Sequence, residues 1–483
     1  MGMATVALML IGVIIYPCVC GKEFSDHQEI KIQTLLKRLN KHALISIKTV
    51  DGDIIDCVPI HSQPAFDHPL LRNHTIQMRP SFIPEITSTY TKKKTKATQA
   101  WHKNGRCPKN TVPIRRIMKE DILRSKSIES FGKKTTSSIP ENDPSKGHEY
   151  AVMNSMQGKY FGTKFEVNMW KPEVQVPNEF SLAQTWLVSG VGTTRNTIEA
   201  GLQVYPGKYG DNNLRLFVFW TVSSHSCAKQ FKSFKFLNFS LAKVNIRVPF
   251  GSIRILEVWF GFGSLDTKIF ETIRISSQFR LKFSTILWIG LGSALVRFFG
   301  FRFFVQPYIF IANGYQGTGC YNNECAGFVQ RSNKIAVGGT YNTFSQYDGD
   351  QYELSVLIWK DGENWWLQIG EEFVGYWPGQ LFNSLGNGAT IVQWGGEIVN
   401  RETDGKHTGT DMGSGHFAEE GYKKASYFRN LMTIDETNTL REPQGVYRTT
   451  GHDNCYNIKA GDGGTSWGVN FFYGGPGLNE RCP

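Results

Sequence analysis

At 483 residues the chain has room for two or three domains, and its 13% aromatic content, 49 glycines and only 20% charged residues suit glycine-turned β-sheet and speak against a helical bundle. The formal charge of +11 would ordinarily point to nucleic acid or an acidic surface. Its placement along the chain, described below, removes that class.

The amino terminus, MGMATVALMLIGVIIYPCVCGKE, has an apolar run from Ala4 to Tyr16 followed by small residues at Cys18 and Cys20. This predicts a secretory signal peptide over residues 1–20, cleaved after Cys20; the run is short for a membrane span, and no integral span is expected. Secretion agrees with the sequons Asn73-His74-Thr75 and Asn238-Phe239-Ser240, with Asn73 the glycosylation candidate. Residues 21–146 come next. EIKIQTLLKRLNKHA has helical periodicity, and SIKTVDGDIIDCVPI predicts a hairpin around Asp51-Gly52, so a small α+β unit is expected to about residue 85. From 86 to 146 the text turns to Lys, Ser, Thr and Pro (TKKKTK, PIRR, FGKKTTSSIPENDPSKG), which reads as an exposed, basic, protease-accessible linker.

From residue 147 to 221, and again from 312 to 483, short runs rich in Val, Ile, Phe, Tyr and Trp are broken by Gly, Pro and Asn. AVMNSM, KFEVNMW, SLAQTWLVSG, TIEAGLQV, LRLFVFW, YELSVLIW, NWWLQIG and TIVQWGGEIV all read as strands, which predicts an all-β, antiparallel β-sandwich domain. Residues 222–311 break the pattern. They hold 16 of the 33 phenylalanines and 12 Lys/Arg against three Asp/Glu, so +9 of the +11 net charge lies there. No period of 2 or 3.6 is sustained. Translation of a retained intron is the favoured reading, ahead of a genuine insertion and of a membrane-touching run at 283–296. The basic charge is therefore set aside as a functional clue, and no nucleic-acid partner is expected.

Once the signal is removed, seven cysteines remain: Cys57, Cys107, Cys227, Cys320, Cys325, Cys455 and Cys482. In an oxidising compartment Cys320 and Cys325 suit a short staple, Cys455 and Cys482 a carboxyl-terminal tie, and Cys57 and Cys107 an upstream pair. Cys227, inside the anomalous block, is left over. No Cys/His spacing suggests zinc, and neither HExxH, a P-loop nor a dinucleotide fingerprint occurs, so no metal or cofactor is expected. GTSWG at 464–468 fits G-x-S-x-G but is followed by a strand-like stretch rather than a helix. His407, His416 and His452 lie in Gly-rich segments without ligand spacing.

Two strands carry an ionisable group where an apolar residue would be usual. In TRNTIEAGLQVYPG, alternation puts Glu199, Gly201 and Gln203 on one face; in TIVQWGGEIVN it puts Gln393, Gly395 and Glu397 on one face. Were these strands close, two glutamates and two glutamines would line one cleft. The glycines would leave room for a substrate backbone, and the amides would donate to a developing oxyanion. Trp186, Trp377 and Trp394 are candidates for a proline-binding wall, against plain core packing. Taken alone, the spacing equally allows both glutamates to face solvent at the rim.

Outside 222–311 the chain resembles the plant neprosin family of secreted glutamic peptidases. The resemblance rests on GDIIDCV…QPAFDHPLLRNHTIQMRPSF, CPKNTVPIRR, NTIEAGLQVYPGKYGD, GYQGTGCYNNECAGFVQ, WWLQIGEEFVGYWPGQLF and WGGEIVN. It implies an amino-terminal activation domain that inhibits its own enzyme, a β-sandwich catalytic domain, and cleavage of proline-containing substrates on the carboxyl side of proline by a pair of glutamates. Those glutamates fall on Glu199 and on Glu397, with Glu371 and Glu372 as competitors for the second place. Leu202 stands where the family has Trp; alternation turns it away from Glu199. A rival reading is a non-catalytic secreted sandwich that binds cell-wall glycan or protein, and a third is a product inactivated by residues 222–311. The two main readings differ over whether Glu199 and Glu397 face each other.

Overall fold

Alternating apolar and polar residues in the amino-terminal third build a small unit of its own. In the computed structural model, which describes residues 26–86, 98–133, 147–191, 194–222, 319–402, 405–462 and 467–483, helix α1 (Asp26–Leu39) precedes strands β1 (Ile45–Lys48) and β2 (Ile54–Pro59). These pair as the expected hairpin, Lys48 opposite Ile54. Strand β3 (Glu85–Ile86) follows, then β4 (Thr111–Arg115) and helix α2 (Lys119–Arg124). Strand β4 pairs with β2, giving a three-stranded sheet in the order β1-β2-β4. This corrects the reading of 86–146 as one exposed linker. Residues 98–133 fold because Cys107 is bonded to Cys57, and because the basic residues of PIRR find buried carboxylates: Arg115 pairs with Asp53 and Asp121, Arg116 with Asp56. The signal segment, the TKKKTK run and residues 134–146 lie outside the described residues, as do Cys227, Asn238 and all but Val222 of 222–311.

The larger domain is a sandwich of two antiparallel sheets. Its strands are β5 (His148–Ser155), β6 (Gly162–Asn168), β7 (Ser181–Ser189), β8 (Asn196–Val204), β9 (Leu214–Thr221), β10 (Cys320–Tyr321), β11 (Val329–Gln330), β12 (Thr340–Tyr341), β13 (Glu353–Asp361), β14 (Asn364–Ile369), β15 (Glu372–Trp377), β16 (Ile391–Val399), β17 (Ser426–Ile434), β18 (Thr439–Arg441), β19 (Val446–Thr450), β20 (Asn457–Ala460) and β21 (Phe471–Gly474). One sheet runs β10-β9-β8-β7-β16-β5-β19, with β12 also on β9; the other runs β11-β15-β14-β13-β6-β17-β18-β3. Between them lies the main core, which takes alternate residues of each strand: Ile198, Ala200 and Leu202 of β8, and Val392, Trp394 and Ile398 of β16. Leu202 is thus a core residue, turned away from Glu199. Disulfides Cys320–Cys325 and Cys455–Cys482 close a short loop and the carboxyl terminus.

The amino-terminal unit and the sandwich form one compact body. Strand β3 adds in parallel to β18. The Gln63 amide bonds the backbone of Gln330, and that of Gln99 the Ala336 carbonyl. Asp53 reaches across to Arg215, which is wholly buried. At its far end the Gly132 carbonyl accepts a hydrogen bond from the Tyr321 backbone N–H at 2.8 Å. Among the described residues no helix is long and apolar enough to cross a membrane.

Candidate active site

Strand β7 lies between the two glutamate-bearing strands, and its register fixes the geometry. Trp186 stands opposite Glu199 on β8 and opposite Gln393 on β16; Gln184 stands opposite Gly201 and Gly395; Leu182 stands opposite Gln203 and Glu397. Residues that share a row in a sheet share a face, so Glu199 and Glu397 project from the same side, diagonally across β7. The row between them belongs to Gln184. Its Nε2 donates to Glu199 Oε2 at 3.0 Å and approaches Glu397 Oε2 at 3.5 Å. One amide therefore spans both carboxylates, and both glutamates are buried, at 1% and 0% exposure.

Each carboxylate has further donors. The Thr197 hydroxyl donates to Glu199 Oε1 at 2.9 Å. Glu397 Oε1 lies 2.7 Å from His148 Nδ1 and 3.4 Å from the Tyr150 hydroxyl, both on β5. Burial, and then the charges of Glu397 and Glu199, push the Tyr150 phenol well above its ordinary range. The Tyr321 phenol is raised by burial, by Tyr205 and by the same two glutamates. Around the pair, Trp186, Phe217, Phe219, Tyr321 and Phe180 form an apolar cluster separate from the main core. In this cluster Phe219 and Tyr321 lie with ring centroids 4.7 Å apart.

Other candidates fall elsewhere. Trp394 points into the core, where its Nε1 donates to Thr163 Oγ1 at 2.9 Å, because strand alternation turns it opposite to Gln393. Trp377 lies on β15 of the other sheet, edge-on to Phe328. Of the three tryptophans, Trp186 alone joins the aromatic cluster beside the glutamates. Gln203 and Gln393 share the face but spend their amides on the Tyr209 hydroxyl and on Asn154. The two glycines are required by the sheet itself. A Cβ at Gly201 would sit 2.0 Å from the Ala183 carbonyl and 2.7 Å from Gln184 Cα, and one at Gly395 would sit 2.2 Å from the Ala151 carbonyl. Glu372 binds Ser332 and Lys334 on the other sheet, and Glu371 is exposed.

Sequence reasoning missed Gln184, His148 and Tyr150. A glutamine inside SLAQTWLVS, otherwise apolar on that face, was the available signal for the first. The other two needed the pairing of β5 with β16, which pattern alone does not supply. Two orphan atoms complete the face: the Trp186 indole N–H and the Gln184 carbonyl oxygen are buried without a hydrogen-bond partner among the described residues.

A second polar cluster lies at the start of β5, on the opposite side. Glu149 takes hydrogen bonds from Asn400 and His407, and His452 Nδ1 lies 2.9 Å away. The neighbouring Cys455 is consumed by its disulfide. Burial alone would lower the His407 imidazole, but its bond and charge pairing with Glu149 outweigh it and raise it; burial would raise Glu149, but His407, Asn400 and His452 hold it down. A raised imidazole stabilises below its ordinary value and loses that contribution as pH rises through the raised one. A lowered carboxyl stabilises above its ordinary value and loses that contribution as pH falls through the lowered one. The clip is therefore complete in weak acid. His407→Ala is expected to cost about 1.5–3 kcal/mol in urea unfolding at pH 5.5 and clearly less at pH 9; equal losses at both would refute the charged clip.

Comparison with known protein families finds two matches in the same order, the amino-terminal one running on into strand β5 of the sandwich. Residues 177–234 and 299–476 match the family model described as Neprosin, and residues 46–154 match the model described as Neprosin activation peptide.

Proposed function

On the premise that this chain belongs to the neprosin family, with the activation peptide ahead of the neprosin domain, we propose that it is a secreted glutamic endopeptidase made as a zymogen, cutting on the carboxyl side of proline. The family makes it a peptidase with an inhibitory pro-region. The finer reading rests on one observation, the Gln184 amide that spans Glu199 and Glu397 on a buried face. Two carboxylates held together out of water resist ionising together, so one keeps a proton. The ionised member takes a proton from water, whose oxygen attacks the scissile carbonyl carbon. The protonated member donates to the carbonyl oxygen and so steadies the tetrahedral oxyanion. As that intermediate collapses, the C–N bond breaks, the proton taken from water passes to the leaving nitrogen, and the dyad regains its starting state.

The orphan Trp186 N–H and Gln184 carbonyl suit a peptide backbone, which offers both an acceptor and a donor. The Trp186 and Tyr150 rings, T-shaped at 6.4 Å, offer an apolar surface for a pyrrolidine ring. Product mapping by mass spectrometry on a peptide with one internal proline is expected to give a single cut after that proline, lost when the proline is replaced by alanine. Equal cutting of both peptides would end the prolyl assignment. Asn73 is exposed on the pro-region, where a glycan would leave with it on maturation.

Residues 222–311 belong to this proposal as a foreign segment. The family match is interrupted over 235–298. Strand β9 ends at Thr221, and β10 begins with Cys320 directly opposite Trp220, so residues 312–319 are enough to close a turn between them. Transcript sequencing is expected to show FWT joined to ANGYQ. Abundant peptides from inside the block in the secreted protein would overturn this.

A further inference from the structure

We propose that Glu149, His407 and His452 form a binding site for a divalent cation of the zinc class, on the side of β5 opposite the glutamate pair. Their ligand atoms, a carboxylate oxygen and a nitrogen of each imidazole, lie within 4.8 Å of one another. His407 Nε2 is 2.8 Å from Glu149 Oε1, and His452 Nδ1 is 2.9 Å from Glu149 Oε2. Tetrahedral zinc, with bonds of about 2.0–2.1 Å, spaces its ligand atoms about 3.3 Å apart, so an opening of about half an ångström admits the ion. The ligands come from β5, from the loop after β16 and from the turn between β19 and β20, three segments far apart in the chain. No local spacing could announce them.

Two features set this cluster apart from an ordinary ion pair. Glu149 is 6% exposed, and its Oε2 is buried without a hydrogen-bond partner among the described residues. His452 Nδ1 lies 2.9 Å from that oxygen but lacks the alignment of a hydrogen bond. A cation held by both groups satisfies the oxygen. The second feature is the set of the His407 ring. Its Nδ1 lies 2.8 Å from the Thr408 carbonyl, which can only accept, so Nδ1 carries the hydrogen and Nε2 faces Glu149. With the ring neutral, the Nε2 lone pair meets a carboxylate oxygen head-on. Either a second proton or a metal ion relieves that contact. The proton gives the charged clip described above for weak acid, the metal gives the site, and the two compete for one nitrogen. The surroundings favour a cation. Asn400 Nδ2 steadies Glu149 Oε1 at 3.0 Å, and the buried Glu179 adds a second negative charge, felt at His407. Cys455 is committed to Cys482, which leaves two nitrogens and a carboxylate, a set that suits zinc better than calcium or magnesium. The His452 side chain is 62% exposed, which gives an ion its way in and leaves a position for water.

The test titrates Zn²⁺ alone into the full, uncleaved chain, stripped with EDTA and held near neutral pH, and follows binding by calorimetry and Tm by thermal unfolding. One ion per chain is expected to bind below about 100 μM zinc, with Tm raised by several degrees because the ion binds the folded state. His452→Ala is the decisive variant, since a mostly exposed side chain can be removed without opening the core. It is expected to weaken zinc binding by about tenfold or more and to abolish most of the Tm shift. Glu149→Gln is expected to do the same. His416→Ala is the control for surface histidines: His416 pairs with Glu420 elsewhere, and its loss should leave binding unchanged. Absence of binding at 100-fold the protein concentration of zinc overturns the site. So does zinc affinity in folded His452→Ala equal to wild type, or a loss in His416→Ala as large as that in His452→Ala.

Discussion

Glu199→Gln and Glu397→Gln are each expected to lower kcat/KM for a proline peptide by about 10²- to 10⁴-fold, the range of a positioned acid or base. The double variant should lose little more than the worse single, because a proton-sharing pair works as a unit. Both amides fit the space of a carboxyl and can keep the contact to Gln184, so the fold should survive. Replacing one carboxyl by an amide also leaves the other without a competitor for the shared proton. The controls come from the other sheet: Glu372 is tied to Ser332 and Lys334, so Glu372→Gln should cleave at a near-normal rate. Cleavage within threefold of wild type by folded Glu199→Gln would remove the dyad, and loss confined to Glu372→Gln would relocate it.

Asp53→Ala is the second large effect expected, on latency rather than on chemistry. Asp53 sits between two guanidiniums, Arg115 of its own unit and Arg215 of the sandwich, at 2.8 and 2.6 Å. All three side chains are at most 10% exposed. Removing one partner of a buried ion pair costs about 3–5 kcal/mol, because the remaining charge is stranded. Arg215 keeps Asp211, which favours the lower end. The full-length variant should show early activity and faster trimming, while its mature product, which lacks residue 53, has wild-type kcat. Latency equal to wild type would show that the bridge does not hold the pro-region. The pH dependence has a definite sign. Burial alone would raise the Asp53 carboxyl, but Arg215 and Arg115 outweigh it and hold it below the ordinary range. Its contribution is complete above the ordinary carboxylate value and disappears as pH falls through the lowered one. Mild acid therefore leaves this bridge closed.

Strand existence was readable because period-2 alternation and glycine punctuation are local properties: TIEAGLQV and TIVQWGGEIV announce two-sided strands before any partner is known. Pairing is not local. That β7 separates β8 from β16 could not be read from either glutamate strand, and it is β7 that supplies Gln184. Trp394 shows the reverse error. Its neighbours Gln393 and Gly395 face the site, and a one-residue step turns its indole into the core. The basic stretch around Arg115 and Arg116 misled for a different reason. Composition reports charge but not countercharge, and Asp53 and Asp56 lie some 60 residues upstream. The family resemblance contributed Glu199 and Glu397 as a pair, whereas spacing alone left both able to face solvent.

The parallel addition of β3 to β18 makes the pro-region the outermost strand of its sheet. Loss of that strand on maturation would strip a margin from the sheet and leave β18 with backbone donors and acceptors facing water. Such a margin is where sheets of neighbouring molecules stitch together. Here the exposed seam is three residues long and ends in Arg441, a charge that discourages a second chain from laying itself alongside. The activation-peptide strand thus acts as a selvedge, and the brevity of β18 keeps short the margin that its loss would bare.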